Sequence, residues 1–568
     1  ETKGPNGERF VTSTADVGET GITGIMFDTS AVPADRLHFL SLLSDLLGRL
    51  DTEKYTKEQL NTLTMRHLQG ATFSLGEIPY KDSDDFTPVL STYWLGLMGE
   101  YGDQLELAKE IILNTDFSDS DTILNTIRGN IAEMRQVIGS EPLNLLMIRN
   151  MALTGAAAKY DNYVNGLEYY NFLVQLEQYM QQDPGAVLAE IEAVHKLVAN
   201  RTNMIVIFAG NEKGIRVFEE NIGTLTNALP AEVIVPQDYS VLPAPAQKEG
   251  IVIDTLVQYN MLSASHDKIG VEYNGKYIPI LLMLEDTYLT PVLRYRNGVY
   301  TVLSRYSNNA LMVLTYRDPN IKETFDVFAG IPGYLRTVGI TQEELDRYIL
   351  SAFGSGIVPS GELSSAFEYL GNYLAGWSAK DELKILNEIK SVTVEDLDDA
   401  AVLFEKLLEN GAYSTVGSAS KISESMDLYE SVIAFEQQTG EEEAITAAQF
   451  IEMILQGVPE PVEFAKQQGL LLGDGKGNYM EDEPLTRERL AVFIERIAIM
   501  SGAQLDGIDA DIADFEKVSP WARNSVEALV GLNIMGLDED GNFDPKGTVT
   551  ASDVNRVLEA LFMALVPQ

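Results

Sequence analysis

The sequence contains no cysteine, which excludes disulfide bridges, thiolate nucleophiles and zinc sites with cysteine ligands. Histidine is nearly as rare. The chain has four histidines in 568 residues, and no two of them stand four positions apart as a helical zinc motif requires. A metal site built from neighbouring histidines is therefore excluded as well.

Basic residues are also scarce, since 41 Lys and Arg face 85 Asp and Glu for a net charge of -44. This charge repels phosphates and argues against a nucleic-acid partner, but it suits a solvated surface or clefts that attract cationic peptides. No apolar run approaches the roughly 18 to 20 residues that a membrane span needs, so we predict no span. The chain opens on polar "ETKGPNGERF" without Met or signal peptide, as expected of a processed product.

Two long stretches repeat one order of predicted elements: strands, a helix, strands, a helical block and a closing strand. The first runs from "ITGIMFDT" (22–29) to the buried strand "NMIVIFAG" (203–210). The second runs from "GIVIDTLVQYNMLSA" (250–264) to "AYSTVGS" (412–418). This order predicts an α+β fold in which a unit of about 200 residues, far longer than a solenoid repeat, is duplicated.

Changes in composition mark the predicted boundaries. The Pro-rich stretch "PQDYSVLPAPAQKEG" is typical of a linker, and from "TGEEEAITAAQF" onward short helix pairs alternate with Gly/Asp turns. We therefore predict an N-terminal linker at 1–19, α+β domains at 20–235 and 251–438 joined by a linker at 236–250, and a small all-α tail at 439–568.

One segment of the second unit resembles a known family. In "YLTPVLRYRNGVYTVLSRYSNNALMVLTYRDPN" (288–320), Arg294 and Tyr300 stand six positions apart around Gly298, and the hairpin closes on "YRDPN". This pattern resembles the last domain of the pitrilysin/insulinase superfamily, in the branch of the presequence proteases. Upstream, "GITGIMFDTSAVPADRLHFLSLLSDLLGRLDTEKYTKEQL" (21–60) resembles the start of the third domain, so the resemblance covers about 20 to 430. It departs at Thr301, where the family usually has Gly.

The resemblance implies a fold, a partner and a role. Each α+β domain is expected to be a sheet covered by helices, and this chain corresponds to the second half of a protease with an enclosed chamber. The zinc is then bound on H-x-x-E-H by an N-terminal catalytic half, covalently attached or separate, and not by this chain. Substrates are unfolded peptides, and Arg294 and Tyr300 reach the scissile carbonyl. Alternatively, Arg294 is an ordinary helix-terminal cation and Tyr300 a strand aromatic.

The predicted helix "ADRLHFLSLLSDLLGRL" contains His38 and looks at first like a damaged H-x-x-E-H motif. When Asp51-Thr52 is aligned with the turn that follows the zinc helix of the superfamily, Leu42, Asp45 and Leu46 occupy the ligand and general-base places. The helix is therefore predicted to be the non-catalytic counterpart of the zinc helix, with its leucines in the core.

The tail resembles S-layer homology modules, which attach bacterial surface proteins to cell-wall polymer. The matching text is "SPWARNSVEALVGLNIMGLDEDGNFDPKGTVT", with Trp521, and "PLTRERL", with Arg487 in the place of the T-R-A-E arginine. We predict Trp521 and Arg487 as contacts to an acidic polymer, because arginine is a natural ligand for acidic groups. In the other two units Ala447 and Ala551 stand in the arginine place. This resemblance implies an extracellular location on the surface of a Gram-positive-type bacterium.

Two other functions fit the same sequence. A catalytically inert superfamily member acts as a scaffold or peptide-binding subunit, and a cell-wall adhesin uses its first 430 residues only to bind a ligand. An H-x-x-E-H motif encoded upstream distinguishes the protease from the inert subunit, and tight binding to purified wall polymer favours the adhesin.

Overall fold

A computed structural model describes residues 1–3, 8–81, 83–355, 361–435, 444–455, 458, 460–471, 478–500, 510–538 and 540–565. They form two α+β domains followed by a helical region, which confirms the predicted fold class. Among these residues no helix is both long and apolar enough to cross a membrane.

The first domain contains a six-stranded sheet in the order β1-β2-β6-β3-β5-β4. Its strands are β1 Thr2–Lys3, β2 Arg9–Thr14, β3 Thr20–Asp28, β4 Phe73–Pro79, β5 Phe86–Leu97 and β6 Met204–Gly210. Only β2 and β6 pair in parallel. The helices are α1 Leu37–Leu46, α2 Lys57–His67, α3 Tyr101–Asn114, α4 Ser120–Ser140, α5 Pro142–Met151, α6 Ala156–Asn165, α7 Leu167–Gln182, α8 Pro184–Val198, α9 Glu212–Asn221 and α10 Gly223–Thr226.

The second domain repeats this topology in the order β12-β7-β11-β8-β10-β9. Its strands are β7 Lys248–Val252, β8 Gln258–Ser265, β9 Thr301–Tyr306, β10 Ala310–Asp318, β11 Ala412–Gly417 and β12 Ser431–Ala434. Strands β7 and β11 pair in parallel as β2 and β6 do, which confirms the duplication. The helices are α11 His266–Ile269, α12 Tyr277–Leu284, a π-helix Glu285–Arg296, α13 Lys322–Thr337, α14 Gln342–Ser355, α15 Glu362–Leu374, α16 Ala379–Lys390, α17 Asp396–Asn410 and α18 Ala419–Glu424.

The C-terminal region is helical around its own core. Its helices are α19 Ala447–Ile454, α20 Pro461–Gln467, α21 Arg487–Met500, α22 Arg523–Gly531 and α23 Ala551–Leu565. Phe450, Leu485 and Phe543 are fully buried in this core. In the described part of this region only isolated bridges replace strands, as between Thr486 and Thr548.

Two segments predicted as linkers contribute strands. Residues 1–19 contain β2, and residues 236–250 include the start of β7. In "RFVTST" only Val11 is deeply buried, so the segment lacks the apolar alternation that identifies a strand, and its parallel pairing with β6 stabilises it instead. The predicted boundary at 438/439 lies outside the described residues.

Each sheet buries one face against its own helices and the other against a helix of the neighbouring domain. Helix α15 of the second domain packs on β2, β3 and β6 of the first. Its Ala366, Leu370 and Leu374, spaced four residues apart, form one stripe that joins Met26 and Ile207 in a buried cluster. Reciprocally, α5 of the first domain packs on β8 and β11 of the second.

Helix α5 carries a buried charge into this contact. Arg149 is 4% exposed, and its guanidinium donates to both carboxylate oxygens of Glu249 at 3.0 and 2.8 Å and to Glu168 at 2.6 Å. The neighbouring Asn150 donates to the Ala412 carbonyl at 3.2 Å and to Ser414 Oγ at 2.8 Å. The end of α5 is therefore fixed to the second sheet by polar contacts as well as apolar packing.

We expect Arg149→Met to destabilise the protein by about 3–5 kcal/mol, because it leaves the buried Glu249 without its cation. Urea denaturation measures this change. Arg9→Met is the matched control: Arg9 pairs with Glu1 at the surface, so its loss should cost at most about 1 kcal/mol. Equal losses in the two variants would contradict the role given to the buried pair.

Candidate functional site

Arg294 lies near the end of the π-helix, which continues directly from α12. Pro291 has no N–H, so it leaves the carbonyl of Thr287 without its α-helical donor, and the hydroxyl of Tyr334 donates to that carbonyl at 3.2 Å. The wider turns end with Asn297 N–H donating to the Val292 carbonyl at 3.1 Å. The sequence predicts a helix here, but nothing in its periodicity indicates the wider winding.

Tyr300 follows the π-helix in a tight turn before β9. Gly298 adopts a φ of +79°, in the left-handed region that favours glycine. The N–H of Tyr300 donates to the Arg317 carbonyl at 3.2 Å, where β10 bulges between Thr315 and Asp318. Arg317 itself has a φ of +51°, so the strand end is held in an uncommon conformation that presents its carbonyl to Tyr300.

The buried carboxylate of Asp318 holds this bulge. Its Oδ2 accepts hydrogen bonds from Asn260 at 3.0 Å, Thr315 at 2.8 Å and Thr324 at 2.6 Å, and its Oδ1 accepts from the N–H of Asn320 at 2.8 Å. Burial raises the pKa of Asp318 to about 6, although each of these hydrogen bonds acts to lower it. The "YRDPN" motif is thus a structural anchor at the strand end.

The anchor also reaches the turn that carries the candidate residues. The side-chain amide of Asn320 donates to the Asn297 carbonyl at 3.1 Å, one residue before Gly298. The two halves of the motif, "LRYRNGVY" and "YRDPN", therefore form one unit, in which the second positions the first.

Arg294 and Tyr300 lie side by side on this unit. The guanidinium carbon of Arg294 is 5.7 Å from the centroid of the Tyr300 ring, and Tyr300 is 40% exposed. The Tyr300 ring packs against Tyr316, whose ring contacts Tyr259 on the neighbouring strand. A guanidinium and a phenol presented together in this way are two hydrogen-bond donors suited to one anionic oxygen. Thr301, the departure from the family pattern, pairs with Tyr316 inside the hairpin.

Helix α1 does not fit a zinc ion. Leu42 and Leu46 are fully buried core residues, and Asp45 is the one potential ligand among the three places. His38 contacts the Tyr163 carbonyl through Nε2 at 3.0 Å and stacks on that ring, and burial lowers the pKa of His38. Across the described residues no three His, Asp or Glu side chains group as metal ligands.

The two polymer-contact candidates of the C-terminal region differ in availability. Trp521 is 58% exposed. Arg487 donates to the carbonyls of Phe543 at 2.6 Å and Gly536 at 2.7 Å and lies over the Phe543 ring. The arginine thus stabilises the turn after α22, and Trp521 is the more available of the two.

Sequence reasoning missed the residues that support the candidate site. Asn260 lies 58 residues before Asp318, so no local spacing relates the two. Thr324 opens α13 directly after "YRDPN" and resembles an ordinary residue of a first helical turn. A polar residue in the otherwise apolar strand "YNMLSA" was the one available signal for Asn260.

Three family models match the chain. The model of the region associated with peptidase family M16, subfamily C, matches residues 23–176, PreP C-terminal domain matches 248–421, and S-layer homology domain matches 511–550. The first two correspond to the two α+β domains, and the second includes both Arg294 and Tyr300.

Among curated proteins, Protein HypA of Clostridium perfringens is 26% identical over 410 residues, which cover 72% of this chain and 42% of HypA. Presequence protease 1 of Arabidopsis thaliana is 23% identical over 407 residues, which cover 70% of this chain and 37% of that protein. The chain thus spans about two fifths of the length of these relatives.

Among solved structures, a peptidase M16 inactive domain from Pseudomonas fluorescens superposes with a TM-score of 0.52 at 16% identity, covering 74% of this chain and 97% of that one. This likeness concerns the fold. Together with the family models and the relatives, it identifies the chain as the C-terminal half of a presequence-protease-like member of the pitrilysin/insulinase (peptidase M16) superfamily, with S-layer homology sequence in its C-terminal region.

Proposed function

We propose that this chain is the half of a zinc metallopeptidase that lacks the metal and supplies two donors to the substrate carbonyl. The observation that carries the proposal is the pair Arg294 and Tyr300, adjacent and exposed on a turn that the buried Asp318 anchors. Zinc and the general base belong, in this proposal, to an N-terminal half bearing H-x-x-E-H.

The proposed chemistry follows from where charge develops in peptide hydrolysis. When the scissile carbonyl carbon is attacked, its oxygen gains negative charge, and donors already held in place stabilise that charge more than they stabilise the ground state. The Arg294 guanidinium contributes a full positive charge, and the Tyr300 hydroxyl contributes a neutral donor beside it. Both are held by the hairpin, so little reorganisation is needed when charge develops.

Unfolded peptides are the proposed substrates, degraded in a chamber that this half closes. The net charge of -44 supports a preference for peptides with basic residues, since acidic walls concentrate cationic chains. An inert subunit that only binds peptides is the rival reading, and the activity of Tyr300 and Arg294 variants separates the two.

Tyr300→Phe in the complete protease is expected to lower kcat by about 10²-fold, the usual effect of removing one transition-state donor. Arg294→Ala should have a similar or larger effect, and zinc content should not change in either variant. Peptide turnover and metal analysis measure these outcomes.

Tyr295→Phe and Arg296→Ala are matched controls, because both residues are exposed on the same helix beside Arg294. They should leave turnover within about twofold of the wild type, as expected of surface changes. Turnover in Tyr300→Phe and Arg294→Ala equal to that of the controls would contradict the catalytic role.

Asp318 gives the anchor a characteristic pH dependence. Its folded pKa of about 6 exceeds the unfolded value of about 3.9, so the folded state binds this proton more tightly. The stabilisation is fully present below the unfolded pKa and is lost as pH rises through the folded pKa. Between pH 4.5 and 7 the wild type should therefore lose about 2 kcal/mol relative to Asp318→Asn, measured by urea denaturation.

The control for this experiment is Asp326→Asn, which changes an exposed carboxylate on α13. Its stability should follow the wild-type pH curve. If Asp318→Asn also follows that curve, the carboxylate does not titrate as described.

The C-terminal region supports a second proposed function, attachment to an acidic cell-wall polymer outside a Gram-positive-type bacterium. The exposed Trp521 is the observation that favours it, since aromatic rings stack on sugar faces.

We expect Trp521→Ala to reduce co-sedimentation of the protein with purified cell walls several-fold, because the main exposed aromatic contact is lost. Phe464→Ala, another exposed aromatic of the same region, is the control and should sediment like the wild type. Arg487→Ala should instead lower the melting temperature of the region, since its guanidinium holds two carbonyls. Undiminished sedimentation of Trp521→Ala would exclude Trp521 as the contact.

A further inference from the structure

A cavity of about 340 Å³ opens in the helical layer of the first domain, between α1, α4, α5 and the start of α7. Its volume is at the lower end of the range of about 300–1,000 Å³ seen for small-molecule sites. The cavity lies in a different domain from Arg294 and Tyr300, and the proposed peptidase chemistry does not use it.

One wall of the cavity is apolar. Ile138 and Leu145 are buried there, Ile148 is half-buried, and Leu167 closes the wall from the start of α7. Such a wall favours a ligand with a compact aliphatic body, because burial of apolar surface is the main source of binding energy in small pockets.

The opposite wall presents a carboxylate with one committed and one open oxygen. Oδ2 of Asp45 accepts hydrogen bonds from the Tyr169 hydroxyl at 2.6 Å and the Asn130 amide at 2.7 Å. Oδ1 accepts none from the residues that the structure describes, although Asp45 lines the cavity. Tyr169 is itself buried, so the carboxylate is held in one orientation with Oδ1 left for a ligand donor.

The charges around the cavity favour a cation. Asp45, Glu133 and Glu141 supply three carboxylates, against a single guanidinium from Arg49. No salt bridge joins Arg49 to Asp45 within the described chain, so the carboxylate keeps its charge uncompensated at close range. Burial raises the pKa of Asp45, which is consistent with an anion whose hydration is only partly replaced.

We propose that this cavity binds a primary ammonium group carried on a small aliphatic body, as in amino-acid amides. The ammonium donates to Oδ1 of Asp45, and the aliphatic part packs against Leu145, Ile148 and Leu167. A charge-assisted hydrogen bond and an apolar contact then act together, each on one wall. Neutral ligands of the same shape lack the first contact and bind more weakly.

Isothermal titration calorimetry with L-leucinamide tests the proposal, and 4-methylpentanamide is the matched probe, because it keeps the amide and the branched chain but lacks the ammonium group. L-Leucinamide should bind the wild-type chain at least about tenfold more tightly than 4-methylpentanamide. Equal affinities for the two probes would overturn the assignment of an ammonium site.

Two variants locate the site. Asp45→Asn keeps an acceptor for Tyr169 and should weaken L-leucinamide binding about tenfold or more. Ile148→Trp fills the cavity from its half-buried wall and should abolish binding. Asp121→Asn, an exposed carboxylate at the far end of α4, is the control and should bind like the wild type.

The melting temperature of each variant shows that it is folded. Wild-type affinity in both Asp45→Asn and Ile148→Trp would overturn the proposal. Equal weakening in Asp121→Asn and Asp45→Asn would also overturn it, since that pattern indicates attraction to the acidic surface as a whole.

Discussion

The ion pair between Arg149 and Glu249 is the contact on which the arrangement of the two α+β domains depends. A guanidinium buried at the end of α5 is stable only where carboxylates meet it, and those carboxylates come from both domains. The geometry required is bidentate, so α5 must lie on the second sheet in one orientation. The apolar packing of α5 and α15 then covers the outer face of each sheet.

The same fixed sheet supports the candidate site. Asn260, which binds Asp318, stands on β8, and β8 is one of the strands that α5 covers. From α5 through β8 to the bulge of β10, each contact is buried and hydrogen-bonded or closely packed. The position of Arg294 and Tyr300 therefore rests on the contact between the domains as well as on the local motif.

Local features of the fold were readable from the sequence. Thr56 and Gln59 form the capping box that starts α2, and the hairpin around Ser307-Asn308-Asn309 lies where strand signals flank a polar turn. Arg294 and Tyr300 are six residues apart around a glycine, so one short motif contains the pair. The order of elements also revealed the duplication, because both units repeat the same topology.

Features that depend on distant contacts were not readable. Arg149 and Glu249 are 100 residues apart, and neither stands in a pattern that predicts a buried charge. Strand β2 lies in a segment with the composition of a linker, because its pairing with β6, nearly 200 positions away, decides its conformation. The π-helix depends on Tyr334, which satisfies the carbonyl that Pro291 leaves open. In each case the deciding partner belongs to another element.

The exchange of α5 and α15 between the two domains also bears on the origin of the chain. A single ancestral unit with this topology would expose an apolar sheet face unless a second copy covered it, and mutual covering by equivalent surfaces is what a two-fold symmetric homodimer provides. Fusion of two such copies into one polypeptide would preserve the exchange. Neither repeat is then expected to be an independent folding unit, and the pair is the smallest module that evolution could move or lose as a whole.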